Sequence, residues 1–154
     1  MIQRLQTLFL ILALAAMSSL FSESLPFASI FGDVSGLDGQ FGEMMSDGVF
    51  DISDHLLLIG LVCLSVLLSL ISIFLFKRRP LQIKLNRINL VLNALLLLLS
   101  VILLYQAYAQ LAPGTEVSVE YGYLMPFLSS IFLILAIRYI AKDEKLVRSS
   151  DRLR

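Results

Sequence analysis

Charge is scarce in this chain. Only 16% of its residues are Asp, Glu, Lys or Arg, where a soluble domain carries about 25%. Cysteine occurs once, at Cys63, which excludes an intrachain disulfide and a Cys-based zinc site. Histidine also occurs once, at His55, and tryptophan is absent. Catalysis needs a constellation of groups, and no nucleophile with a base, phosphate-binding loop, glycine fingerprint or metal-ligand cluster is found. The expectation is a protein that is not an enzyme and carries no cofactor. Net charge is zero, so no nucleic-acid partner is expected either.

What is abundant is apolar. Hydrophobic residues make up 58% of the 154, and the mean hydropathy is +0.86. The length suits one domain. A membrane-spanning helix needs about 20 mostly apolar residues, and four runs approach or exceed this. The predicted spans are residues 5–22, 55–76, 86–110 and 121–141. Lipid leaves no partner for a bare backbone, so each must be a helix. The first run has a second reading. MIQR is a basic start, LFLILALAA an apolar stretch, and Ala13-Leu14-Ala15 resembles a signal-peptide cleavage site. The apolar run continues to Phe21, which favours a retained helix, and both readings put the next loop outside.

The few charges are sorted. Arg4 precedes the first run, five basic residues (Lys77, Arg78, Arg79, Lys84, Arg87) fall around the turn between the second and third, and six stand from Arg138 onward to Arg154. The other two loops hold none. Basic residues mark the cytoplasmic side, so the expected fold is an all-α, four-pass bundle with both termini cytoplasmic. Residues 23–54 then form a periplasmic loop, 77–87 a cytoplasmic loop and 142–154 a cytoplasmic tail. Seven acids lie in the first outer loop and two in the second, a supporting asymmetry. Acids near the starts of the second and fourth helices, and cations at the end of the second, also suit the helix dipole. The third helix does not: Lys84 and Arg87 stand in its first turns with the wrong sign, so topology must have placed them. Ser53 or Asp54 is the expected cap of the second helix. Tyr105, Tyr108, Tyr121 and Tyr123 gather at the outer boundary and Tyr139 at the inner, where an apolar ring with a hydroxyl is favoured.

Two polar stripes interrupt the apolar runs. Asn86, Asn89, Asn93 and Ser100 share one face of the third helix, and Ser65, Ser69 and Ser72 one stripe of the second. A short loop would set the stripes in contact as an interhelical polar face, each hydrogen bond worth about 0.6 kcal/mol. The alternative is a polar path for a solute in a small transporter or channel. An ion path would normally show an ionisable group mid-membrane, and none of the four runs has one. Pro80 suits a first helical turn, followed by an apolar face of Leu81, Leu85, Ile88 and Leu92. Pro126 is likewise tolerated near a helix start.

The tail reads as a continuation of the fourth helix, with Tyr139, Leu146 and Leu153 at intervals of seven. Its candidate interaction residues, with those of the inner loop, are Arg79, Lys84, Arg87, Arg138, Lys142, Lys145, Arg148 and Arg152. Their expected partners are the lipid bilayer, anionic lipid, or another membrane or cytoplasmic protein. In the outer loop, Asp33, Asp38 and Asp47 invite a calcium reading, but an EF-hand loop opening at Asp33 would place Leu37 at position 5 and Asp38 at the glycine position, so the pattern fails. Val49 to Ile52 alternates as a short strand would. His55 is expected as a cap or hydrogen-bonding group, and Cys63 as a small apolar filler.

MIQRLQTLFL, IFLFKRRPLQIKLNRINL and AIRYIAKDEKLVRSSDRLR together resemble an uncharacterised four-helix inner-membrane family of Bacteroidota, a domain of unknown function. The resemblance implies the inner membrane of a Gram-negative bacterium. It supplies no activity and no functional residues. The function expected from the charge and the stripes is an accessory or scaffold subunit that interacts through its basic cytoplasmic face.

Overall fold

The computed structural model describes residues 2–32, 41–42, 45–76, 78–111 and 114–151. Four long helices dominate: α1 (Ile2–Ser18), α2 (Leu56–Phe74), α3 (Arg79–Tyr108) and α4 (Leu124–Asp151). Short 3-10 turns follow α1 and precede α4. Three segments are long and apolar enough to cross a membrane: Leu56–Phe74, Arg79–Tyr108 and Tyr121–Val147. Leu5–Phe21 is a shorter apolar helix. α1 packs on α4 and α2, and α3 on α2 and α4, so each helix has two neighbours in a closed ring.

One repeat organises the interior. Buried positions run 6, 10, 13, 17 and 20 through α1 and the turn after it, and 58, 62, 65, 69 and 72 in α2. In α3 they run 82, 86, 89, 93, 96, 100, 103 and 107, and along the 3-10 turn and α4 they run 122, 126, 129, 133, 136 and 140. Steps alternating between 3 and 4 average 3.5 residues, the period that keeps one seam facing its neighbours when helices wrap left-handed. Small or polar side chains fill much of that seam. Large apolar ones point out: Leu67, Phe74, Ile88, Val91 and Leu98 are all more than half exposed. An apolar exterior around a polar seam is the inverse of a soluble bundle and matches lipid as solvent.

The all-α expectation needs correction. Strands β1 (Ala28–Phe31), β2 (Val49–Phe50) and β3 (Glu116–Val119) form a small antiparallel sheet in the order β2-β1-β3. Ala28 stands opposite Phe50 on one side and Val119 on the other. The sheet joins the α1–α2 connection to the α3–α4 connection. Its buried face presents Phe27 and Phe50, 5.8 Å apart between ring centroids, and Tyr123 lies 4.9 Å from Phe27. Burying those rings is what orders loops that are otherwise polar. β2 falls within the alternating stretch 49–52. β1 and β3 were not foreseen, because four residues give too little alternation to separate a strand from a loop. Gly48 turns the chain into β2 at φ +75°, a conformation that glycine adopts without strain. Asp33 and Asp38 of the calcium reading lie outside the described residues.

Other boundaries shift as well. The expected cytoplasmic loop 77–87 is mostly helix, since α3 begins at Arg79 with Pro80 in its first turn. The tail continues the fourth helix, in keeping with its sequence, α4 running to Asp151. His55, rather than Ser53 or Asp54, caps α2: its Nδ1 accepts the Leu57 N–H at 3.2 Å.

Asp54 is instead held in the loop, its Oδ2 accepting the Asp51 N–H at 2.6 Å. Burial pushes its carboxyl up from 3.8 to about 7; the Asp51 N–H opposes this, and the charges of Asp51 and Asp47 reinforce it. The folded protein therefore keeps a proton that the unfolded chain has lost. The contribution of Asp54 to stability is expected to fall as pH rises from about 4 through about 7 and to be flat above. Asp54→Asn, which retains an acceptor for Asp51, is expected to flatten this slope. Melting curves at pH 5 and pH 8 should show the variant above the parent at pH 8 and nearly level at pH 5.

Candidate functional site: a buried polar seam and a cationic end

The 3.5-residue spacing brings the Ser stripe of α2 against the Asn stripe of α3. Ser65 Oγ donates toward Asn89 Oδ1 at 2.6 Å and Asn93 Oδ1 at 2.9 Å, one proton shared between two acceptors. Asn89 Nδ2 donates to Ser69 Oγ at 2.7 Å and to the Ser65 carbonyl at 3.2 Å. Asn93 Nδ2 reaches Ser129 Oγ at 3.1 Å and Ser130 Oγ at 3.4 Å, which carries the network onto α4. Gln82 Nε2 donates to the Ser72 carbonyl at 2.9 Å. Ser65, Ser69, Ser72, Asn86, Asn89 and Asn93 are all fully buried.

Asn86 behaves differently from its neighbours. Both of its side-chain polar atoms are buried without a hydrogen-bond partner, as are Ser72 Oγ and Gln82 Oε1. These four atoms sit towards the α2–α3 turn. The pairing of Asn89 and Asn93 ends before it reaches them.

Gln82, Ser129, Ser130 and Gln6 belong to the seam but were missed. Gln82 was legible, standing four residues before Asn86 on the same face. Ser129 and Ser130 are the only serines inside the fourth run, which was a usable signal. Gln6 carried none, because its partner is the carbonyl of Tyr139, 3.2 Å away on α4. Phe9 stacks on the ring of Tyr139 at 5.5 Å, so α1 is tied to α4 twice near one end.

That end also carries the basic residues. Lys84, Arg87, Arg138, Lys142 and Lys145 are exposed. Arg79 is not free: its guanidinium meets the Asp143 carboxylate at 2.9 Å, with both side chains largely buried. The pair joins the start of α3 to the extension of α4. The side chains of Arg148 and Arg152 lie outside the described residues.

The sequence model of the family described as Domain of unknown function (DUF4293) matches residues 2–153. No curated protein matches the chain.

Proposed function

We propose that this chain, which belongs to the DUF4293 family, is an accessory or scaffold subunit of the bacterial inner membrane that acts by binding rather than by catalysis. It crosses the membrane four times with both termini in the cytoplasm. The helical tail and the start of α3 meet a partner protein there.

The observation that carries this reading is the single cationic surface made by Lys84, Arg87, Arg138, Lys142 and Lys145 and braced by Arg79–Asp143. Cations cross a bilayer poorly, so such clustering at one end supports a cytoplasmic address. The 17 residues of α1 are at the short limit for a span, about 17–25. Its burial against α2 and α4 supports a fourth crossing. Leu146 and Val147 stand exposed beside the cations, which supports a protein as the occupant.

Extraction in mild detergent is expected to recover the chain in a complex heavier than its own monomer. Lys142→Glu with Lys145→Glu should reduce the recovered partner on the order of tenfold, as reversed charges oppose docking. Recovery of monomer alone would overturn the reading. So would a reporter fused after Arg154 that proves periplasmic.

The transport alternative has less behind it. The Asn and Ser side chains are spent largely on one another, and a solute would have to break that network to pass.

A further inference from the structure

A short connection joins α2 to α3. The Leu75 N–H bonds back to the Ile71 and Ser72 carbonyls, and the Arg78 N–H to the Leu75 carbonyl at 2.9 Å. The turn leaves an open cavity of about 370 Å³ lined by Phe74, Leu75, Arg78 and Leu81. Phe74 is 71% exposed and Leu81 40%, so the walls are apolar and reachable from outside the bundle. Arg78, also exposed, supplies the one charged group of the lining among the described residues.

The charge around this cavity is unbalanced. Arg78, Arg79 and Lys84 lie within one and a half turns of the α3 start, which has no acid in its first turn and no side-chain cap. Asp143 answers Arg79. Among the described residues no salt bridge answers Arg78.

We propose that this cavity binds one anionic phospholipid. The Arg78 guanidinium takes the phosphate, and the upper part of an acyl chain lies on Phe74 and Leu81. Arginine offers a planar fork of donors that matches phosphate oxygens. The volume lies within the range of about 300–1,000 Å³ usual for ligand sites. Apolar walls beside the Arg78 cation suit an amphiphile better than a free anion, which gains nothing from Phe74 or Leu81. The position at the end of an apolar helix is where headgroup phosphates lie. The inference rests on the membrane reading above and adds a specific ligand to it.

Native mass spectrometry of the purified full chain tests it, with phosphatidylglycerol and phosphatidylcholine offered in equal amounts. One phosphatidylglycerol per chain is expected to be retained, in at least tenfold preference. Arg78→Gln should abolish that preference, Arg78→Lys should restore part of it, and Phe74→Ala should weaken retention of both lipids. Glu23→Gln, at an exposed position outside both proposed surfaces, should change nothing, and a melting curve checks that each variant is folded. Equal retention of the two lipids, or a preference that survives in folded Arg78→Gln, would overturn the proposal. Displacement by millimolar inorganic phosphate would overturn it too, since the site would then bind a free anion. The partner-recovery experiment is independent of these outcomes, so the two readings can fail separately.

Discussion

Gly122→Ala is expected to destabilise the protein by about 3 kcal/mol. Gly122 is the middle residue of the 3-10 turn that leads into α4, is buried, and donates its N–H to the Pro26 carbonyl at 2.9 Å. A Cβ added there would meet the Pro26 carbonyl carbon at 2.6 Å and the Leu25 oxygen at 2.7 Å. Those atoms are backbone and cannot rotate away as a side-chain tip could. One of the two segments must shift, and the adjacent bond from the Glu120 N–H to the Phe27 carbonyl, 2.9 Å long, shifts with it. The loss is therefore not confined to one contact; it loosens β1 from β3 and uncovers the ring of Phe27. Gly60→Ala is the control. Gly60 lies in α2 with open space where its Cβ would be, so alanine should cost nothing and add up to about 1 kcal/mol through helix propensity. Thermal unfolding of both variants in one detergent checks the pair. A Gly122→Ala melt at the parental temperature would mean that the sheet-bearing loops are not clamped as described.

The second large effect separates two asparagines on the same buried face. Asn89→Leu removes a side chain that takes the Ser65 proton and donates to Ser69 Oγ and the Ser65 carbonyl. Three hydrogen bonds at about 0.6 kcal/mol each, with Ser69 left short of a donor, give a loss of about 2 kcal/mol. Asn86→Leu is expected to stay within about 1 kcal/mol of the parent, or to stabilise. Asn86 is equally buried, but neither of its polar atoms has a partner, and replacing an unsatisfied amide by an apolar group of similar shape removes a penalty. Equal losses at the two positions would show that burial alone decides the cost. The double variant Asn89→Leu, Asn93→Leu addresses transport. Lost folding is expected, because those residues link α2, α3 and α4. A variant that folds normally but has lost a solute flux would favour the transport alternative.

Asn86 and Asn89 also show how far a sequence can be read. Their spacing puts them on one helical face, and the same rule finds Ser65, Ser69 and Ser72. It cannot show that Asn89 finds partners and Asn86 does not, because that depends on which side chains of α2 lie at the same height. The Leu81 and Ile88 face of α3 was legible in the same way. That it points outward follows only once Asn86 and Asn89 are seen to face α2. Gly122 was invisible for a related reason: a glycine gives no sign of the backbone that approaches it, and Pro26 is distant in the chain. Arg79 looked like its basic neighbours until α4 brought Asp143 beside it.

The sequence by itself determined the long apolar segments, the separation of basic from acidic ends and the polar stripes. These are properties of composition and helical period, which are local. Tertiary structure alone decided the three-stranded sheet, the clamp at Gly122, the Arg79–Asp143 bridge, and which buried amides are satisfied. Each of these depends on residues from separate segments meeting at a hydrogen bond's length, and a periodic pattern carries no information about the partner on the other side.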